Sequence, residues 1–255
     1  MIEYLSFGAG PPSLALAILN ATGRVQPRAR LVVFADTGWE KARTYELLPI
    51  YRDWLAEFDL ELVTVQAKAG PLPDYIRSRS VPIPVHTIKG MGKRQCTDKW
   101  KIEPIERYLH GRFGNVGLVA QLGMTTDEWH RIRDPRVKRN RNRWPLLELG
   151  INRAETVQII REAGLPVPPW SACLGCPLQN DGRWRVLASE HPEAFAEAVD
   201  MDEFLRDRAA RAGRGDLWLH YSRRPLRKLY SSDQRPLGLD VDPTGGACES
   251  GHCFT

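Results

Sequence analysis

The chain has no long apolar segment and, for its 255 residues, few cysteines. No hydrophobic run approaches the ~20 residues that a membrane-spanning helix requires. The chain begins with what we expect to be a buried strand rather than a secretory signal, and its five cysteines are an odd number. A disulfide framework is therefore not expected. We expect a cytoplasmic protein without a membrane partner, in which cysteines serve a metal or redox site.

The net charge is small, but its distribution is uneven. A formal charge of +5 belongs to a chain of ordinary globular composition, with 42% hydrophobic and 26% charged residues. Seven basic residues and a single acid lie between Arg131 and Arg143, and a second basic stretch extends from Arg206 to Lys228. Such runs are either solvated faces or surfaces that attract polyphosphate, as a nucleotide or as a nucleic-acid backbone.

Two of the cysteines, Cys173 and Cys176, form a C-x2-C pair. This spacing lets two thiolates converge on one metal centre. Zinc and an iron–sulfur cluster both accept four thiolates, so Cys96, Cys248 and Cys253 are candidates for the remaining ligands. The alternative is a pair of buried cysteines without a metal.

The first hundred residues alternate between strand and helix patterns. Apolar runs predict strands at 2–7, 31–35 and 61–65. Helical patterns lie between these strands and at 102–113, 153–164 and 191–211. This order predicts an α/β fold with a doubly wound, mostly parallel sheet. We assign the sheet to a nucleotide-binding core at residues 1–150, with a helical, cysteine-rich extension at 151–255 packed on it.

A glycine-rich loop, Gly8-Ala9-Gly10-Pro11-Pro12, joins the first predicted strand to a helix that Ser13 opens. Small residues let backbone N–H groups approach a phosphate, and the helix N-terminus adds a favourable dipole. The loop matches neither the dinucleotide fingerprint nor the Walker loop. Because ligands bind at the carboxyl ends of parallel strands, we expect a nucleotide here and at residues 36–38.

The segments Ser-Phe-Gly-Ala-Gly-Pro-Pro-Ser (6–13) and Phe-Ala-Asp-Thr-Gly-Trp-Glu (34–40) resemble the PP-loop ATP pyrophosphatase superfamily, the adenine nucleotide alpha hydrolases. Residues 95–105, the sequence Ser-Ala-Cys-Leu-Gly-Cys-Pro (171–177) and the tail at 248–253 are similar to its phosphoadenosine phosphosulfate (PAPS) reductase-like branch with an iron–sulfur cluster. The resemblance spans nearly the whole chain. It implies a PP-loop, HUP-like fold and an enzyme of sulfur chemistry that uses ATP or a related adenine nucleotide with Mg²⁺.

The resemblance also implies which residues form the site. The nucleotide would be bound by Ser6, Phe7, Gly8, Gly10, Ser13, Asp36, Thr37 and Gly38. A [4Fe–4S] cluster, with zinc as the alternative, would be held by Cys96, Cys173, Cys176 and Cys248. The catalytic residues would be Cys253 as a free thiol, Asp36 as a ligand of Mg²⁺ or nucleotide, and Arg94 as a phosphate-binding cation. Arg94 would replace a lysine of the superfamily loop, because Pro11 and Pro12 stand where lysine and aspartate are usual.

Three functions are compatible with this pattern. The first is an ATP-dependent, iron–sulfur-containing sulfurtransferase that adenylates an acceptor and inserts sulfur taken from a donor such as a cysteine desulfurase. Its acceptor would be tRNA or DNA bound at residues 131–143. The second is a sulfonucleotide reductase in which Cys253 attacks the sulfur of an adenylyl sulfate. The third is a non-catalytic, nucleic-acid-binding iron–sulfur module, which Pro11 and Pro12 favour; whether the chain forms a homodimer is left open.

Overall fold

The computed structural model describes residues 1–132 and 139–230. Contacts divide these residues into two compact units. Among the described residues, the first unit consists of Met1–Lys68 and Thr97–Ser171, and the second consists of Ala69–Cys96 and residues 172–230. The division into domains near residue 150 stays a prediction. Within the described ranges, no helix is both long enough and apolar enough to span a bilayer.

Up to residue 66 the strands and helices follow the predicted order, whereas the strands after that residue were not predicted. The strands are β1 (Ile2–Phe7), β2 (Val32–Asp36), β3 (Leu62–Gln66), β4 (His86–Thr87), β5 (Gly90–Met91), β6 (Leu118–Leu122) and β7 (Arg141–Arg143). The helices are α1 (Pro11–Ala21), α2 (Ala42–Ala56), α3 (Leu72–Ser78), α4 (Glu103–Phe113), α5 (Pro145–Glu148), α6 (Arg153–Glu162), α7 (Asp181–Glu190), α8 (Pro192–Arg211) and α9 (Leu226–Leu229). A π-helical turn at Asp98–Ile102 precedes α4, and a 3-10 turn at Thr126–Arg131 follows β6.

The first unit contains a five-stranded sheet in the order β3-β2-β1-β6-β7. Every pair of neighbouring strands is parallel. The chain first winds outward from β1 through β2 to β3, and then returns to add β6 and β7 on the other side of β1. This is a doubly wound α/β sheet, so the predicted fold class is confirmed, and its direction of winding reverses between β1 and β6.

Both faces of this sheet are covered, which explains the continuous apolar run of β2. Val32 and Phe34 join one core cluster with residues of α1, α2 and α6. Val33 and Ala35 join a second cluster with residues of α4 and β6. Successive side chains of a strand point to opposite faces, so a strand between two helical layers needs apolar residues at every position.

The second unit is organised around α8 and its buried carboxylate, Asp202. This carboxylate accepts hydrogen bonds from the backbone N–H groups of Leu219 (3.0 Å) and Leu226 (3.1 Å), and it pairs with Arg206 one turn later on α8. On the same helix, Arg208 donates to the carbonyl oxygens that end α3. The segment from 218 to 230 is thus fixed to α8 through hydrogen bonds to a buried side chain.

Candidate functional site

The glycine-rich loop lies at the carboxyl end of β1, as the sequence predicts, and it is largely buried. Ala9 is 1% exposed and has a φ of 54°, a left-handed conformation that a residue with a Cβ seldom adopts. Gly10 is the N-cap of α1. The hydroxyl of Ser13 accepts the N–H of Gly10 (3.2 Å) and donates to its carbonyl (3.0 Å). Backbone strain held by packing is typical of ligand-binding loops.

The N-terminus of α1 has few donors left for a phosphate. Pro11 and Pro12 carry no N–H, and the N–H of Gly10 is directed to Ser13. A Cβ on Gly10 would lie 3.0 Å from the Cβ of Ser171, and a Cβ on Gly123, just after β6, would lie 2.7 Å from the nitrogen of Ser13. The small residues at this sheet edge therefore allow protein segments to approach one another closely.

Asp36, at the carboxyl end of β2, is held by three hydrogen bonds. Its Oδ1 accepts the N–H of Gly38 (2.8 Å) and the hydroxyl of Tyr45 (2.8 Å), and its Oδ2 accepts from Gln66 (3.0 Å). Burial, together with the hydrogen bond to Asp36, raises the pKa of Tyr45. This carboxylate orders its own loop, and few of its lone pairs remain for Mg²⁺ or a nucleotide.

We therefore predict that Asp36→Ala destabilises the protein. Three donors would lose their acceptor, and we expect the free energy of unfolding to fall by about 1–3 kcal/mol in urea denaturation. Asp53→Ala, at an exposed position on α2, is the control and should change it by less than about 0.5 kcal/mol. Unchanged stability together with lost Mg²⁺ or nucleotide binding would contradict this structural role.

The loop after β2 contains buried residues that sequence reasoning missed. Glu40 is 6% exposed, and its carboxylate accepts a hydrogen bond from the hydroxyl of Thr37 (3.1 Å). The same hydroxyl accepts a hydrogen bond from the backbone N–H of Trp39 (3.3 Å). Within the described ranges, Nε1 of Trp39 and Oγ1 of Thr125 are buried without a hydrogen-bond partner. Thr125 follows β6, so both atoms belong to loops at carboxyl ends of strands. Unsatisfied buried polar atoms of this kind are typical of sites that bind a ligand or water.

A proline-rich segment at residues 166–171 runs along the same edge of the first unit. The hydroxyl of Tyr51 donates to the carbonyl of Pro166 (2.9 Å), and the ammonium of Lys41 donates to that of Trp170 (3.2 Å). Ser171 then lies against Gly10. This segment connects the loops that follow β1 and β2 and leads directly to the C-x2-C sequence.

The C-x2-C sequence, in the second unit, forms a tight turn. The N–H of Cys176 donates to the carbonyl of Cys173 (3.1 Å), and the buried amide of Gln179 donates to the carbonyl of Leu174 (2.9 Å). Nε2 of His86 lies 3.1 Å from the carbonyl oxygen of Pro177, to which it donates. The turn is thus held from two sides, in the compact form that a pair of thiolate ligands requires.

The predicted metal site is not assembled from the described residues alone. Cys96 is half-buried in the second unit, and its N–H donates to the carbonyl of Pro82 (3.1 Å). Across 1–132 and 139–230, no group of three or more His, Cys, Asp or Glu side chains is arranged to hold a metal ion. Cys248 and Cys253 lie outside these ranges, so the four-cysteine ligand set and the catalytic thiol stay predictions.

The remaining predicted site residues are divided between the units. The eight residues predicted to bind the nucleotide belong to the carboxyl edge of the sheet in the first unit: Ser6, Phe7, Gly8, Gly10, Ser13, Asp36, Thr37 and Gly38. Arg94 belongs to the second unit, where it is half-buried with its Nε and Nη1 atoms shielded from solvent. The nucleotide-binding group is therefore brought together by the fold, while the roles of its members stay predictions.

In the described part of the basic run, Arg143 is paired with carboxylates of the protein itself. Arg143 pairs with Glu148 (2.7 Å) and Glu3 (3.4 Å), and hydrogen bonding to Glu148 raises its pKa. Arg139 contacts the side chains of Asn115 and His110. These contacts fix β7 and its flanks to the first unit. Residues 133–138 lie outside the described ranges.

Comparison with known proteins gives two similarities. No protein-family model matches the chain. The uncharacterized nin region protein ORF290 of Escherichia phage lambda is 26% identical over 151 residues, which cover 52% of this chain and 51% of that protein. The chain thus spans about half the length of this curated relative. Phosphoadenylyl-sulfate (PAPS) reductase from Candida auris, solved as a phosphate complex, covers 66% of this chain with a TM-score of 0.44 and 15% identity, over 75% of its own length. Neither similarity assigns a reaction to this chain.

Proposed function

We propose that the chain is an adenine-nucleotide-binding enzyme of the PP-loop kind that carries out sulfonucleotide reductase-type chemistry. The observation that carries this proposal is the donor set at the N-terminus of α1. Two N–H groups are missing at Pro11 and Pro12, that of Gly10 is engaged, and the superfamily lysine is absent. Such a loop gives little compensation for the charge that develops when a triphosphate is cleaved.

An adenylyl sulfate needs no such cleavage. A cysteine thiolate attacks its sulfur atom, the S–O bond to the phosphate breaks, and the adenosine phosphate leaves with the bonding electrons. The enzyme then carries an S-sulfocysteine. A second thiolate, from an external dithiol, attacks the cysteine sulfur, so that sulfite leaves and a disulfide forms. In this scheme the loop has only to bind a leaving nucleotide.

The cysteines are assigned to this chemistry as follows. Cys253 would be the attacking thiol, and Cys96, Cys173, Cys176 and Cys248 would hold the [4Fe–4S] cluster. The turn at Cys173 and Cys176 fits this assignment, because its backbone hydrogen bonds place both residues in one knuckle. Four thiolates would leave such a cluster negatively charged, so the positive charge beside an anionic substrate would come from a cation such as Arg94, which is close to Cys96 in sequence.

The contacts of one residue of the basic run, Arg143, favour this proposal over a nucleic-acid acceptor bound at that residue. Arg143 has two carboxylate partners and also donates to the carbonyls of Gln26 and Pro27. A guanidinium used in this way gives little attraction to a phosphate backbone. At Arg143, therefore, the structure gives little support to the tRNA or DNA acceptor of an adenylating sulfurtransferase.

The test is anaerobic incubation of the full-length chain with adenylyl sulfate, or with its 3′-phosphate, in the presence of dithiothreitol. We expect sulfite release and an S-sulfo adduct on a cysteine, seen by mass spectrometry. Cys253→Ser should abolish both while nucleotide binding, measured by calorimetry, persists.

A parallel incubation with ATP and total tRNA or DNA separates the alternatives. Pyrophosphate and a new thio-nucleoside, without sulfite from the first incubation, would replace the proposal with the sulfurtransferase. Absence of every product would favour the non-catalytic module.

A further inference from the structure

The second unit contains a hydrogen-bonded serine, histidine and carboxylate that the proposed nucleotide chemistry does not use. Oγ of Ser222 lies 2.7 Å from Nδ1 of His220, and Nε2 of His220 lies 2.8 Å from Oδ1 of Asp181. His220 is 2% exposed, while Ser222 and Asp181 are half-buried. The order hydroxyl, imidazole, carboxylate is that of a nucleophile, its base and the group that orients the base.

The contacts of the ring fix which nitrogen carries the proton. Three side chains, Tyr221, His220 and Tyr230, donate to Asp181, at 2.9, 2.8 and 2.9 Å. Burial alone would raise the pKa of Asp181, but these hydrogen bonds hold it below its usual range. An ionised carboxylate can only accept, so Nε2 of His220 must carry the hydrogen.

Nδ1 is then the basic nitrogen, and it faces Ser222. The backbone N–H of Ser222 also approaches Nδ1 (3.2 Å), which is consistent with a lone pair at that atom. The serine hydroxyl therefore donates its proton to Nδ1. Burial lowers the pKa of His220, against the hydrogen bond and the charge of Asp181, so the imidazole is neutral at pH 7 and competent as a base.

The chain turns sharply at this serine. The N–H of Arg223 donates to the carbonyl of His220 (3.0 Å), and Arg223 has a φ of 57°, which is rare for a residue with a side chain. Tyr221 on one side of Ser222, and Arg223 and Arg224 on the other, are exposed. The hydroxyl is thus presented at a surface turn, next to two cations that favour an anionic substrate.

We propose that Ser222, His220 and Asp181 form an acyl-transfer centre that hydrolyses small activated esters carrying a negative charge. Oγ of Ser222 attacks the acyl carbon while its proton passes to Nδ1 of His220. The ester C–O bond breaks, and the leaving alcohol takes that proton. Water then attacks the acyl-serine by the same route and regenerates the hydroxyl, so the net reaction is ester and water to acid and alcohol.

The first test uses a fluorophosphonate probe on the full-length chain. The serine oxygen displaces fluoride from phosphorus, and the proton leaves through His220. We expect peptide mapping to place the label on Ser222 of the unmodified sequence, which requires no variant. No label on the wild-type chain, or a label confined to other residues, would overturn the proposal.

The second test compares variants by the rate of labelling and by hydrolysis of 4-nitrophenyl succinate, an anionic ester. Ser222→Ala should remove both, and His220→Gln should reduce both by roughly 10²-fold or more. Ser189→Ala is the control, because that exposed serine of α7 donates only to backbone carbonyls in the contacts seen here. It should leave both rates unchanged. Equal rates in Ser222→Ala and Ser189→Ala would contradict the assignment.

The dependence on pH distinguishes a catalytic histidine from a structural one. The titratable groups that act on His220 by their charge are Asp181, Asp202 and His86. Tyr221 and Tyr230 also lie beside its ring. Because the base must be neutral, the labelling rate should rise with pH and reach half its maximum below about 6.5, the ordinary histidine pKa. A rate that rises tenfold per pH unit through neutrality would show attack by an unassisted serine and contradict the proposal.

Discussion

Anaerobically purified protein is expected to be brown and to contain about four iron atoms per chain, the stoichiometry of a [4Fe–4S] cluster. Replacement of Cys173 or Cys176 by alanine should remove both the colour and the iron. The reason lies in the turn, where one hydrogen bond joins the two cysteines and Gln179 donates to the carbonyl of Leu174, one of the two residues between them. Loss of either thiolate leaves too few ligands for the cluster. Absorbance spectra and elemental analysis measure the effect.

A matched control separates the thiolates from the turn that presents them. Gln179→Ala keeps both cysteines and removes the donor to the carbonyl of Leu174 (2.9 Å). We expect this variant to retain iron but to lose it faster to a chelator. Colourless wild-type protein with about one zinc per chain would reject the cluster and keep the ligand set. Iron content that Cys173→Ala leaves unchanged would reject the ligand set itself.

Gly123→Ala is expected to cause the largest loss of stability among single-methyl changes at the sheet edge. Its Cβ would lie 2.7 Å from the nitrogen of Ser13 and 2.9 Å from the carbonyl carbon of Pro12. Both are backbone atoms of α1, so no side chain can rotate away to relieve the contact. We expect a loss of about 1–3 kcal/mol. For a chain of this size, thermal unfolding should shift downward by roughly 2–4 °C per kcal/mol.

Gly111→Ala is the control for this change. Gly111 lies on α4 with no atom within 4 Å of its added Cβ, so alanine should be neutral or stabilising by about 0.5–1 kcal/mol. Equal melting temperatures for the two variants would show that the loop after β6 can move away from α1.

The fold of the first unit could largely be predicted from hydrophobic patterns, because buried parallel strands are apolar at every position. The predicted strand at 2–7 matches Ile2–Phe7, and the run at 31–35 is shifted by one residue to Val32–Asp36. Two strands of this sheet were missed, Leu118–Leu122 and Arg141–Arg143, and the sequence of the second indicated only a charged surface. An edge strand of three residues is recruited by pairing with β6 and by the ion pairs of Arg143, which the local sequence does not show.

The position of the candidate nucleotide site followed from topology, while the roles of its residues did not. Parallel strands bring the ends of β1 and β2 to one edge whatever their side chains are. The bonds that occupy Asp36, however, come from Tyr45 and Gln66, and only tertiary structure brings these residues to it. Similarly, Asp181 and His220 are 39 residues apart in sequence, and neither follows a motif that would link them.

The order of the sheet also has a consequence for how the chain acquires its structure. β1 is the central strand and precedes the other strands of this sheet in the chain, and its partner β6 begins with Leu118, which pairs with Ile2. The backbone groups on one edge of β1 therefore stay unpaired until the ribosome has released residues up to Leu122. Contacts between residues so distant in sequence form slowly, and domains dominated by such contacts fold in milliseconds to seconds. We expect nascent chains that stop before β6 to aggregate through that open edge.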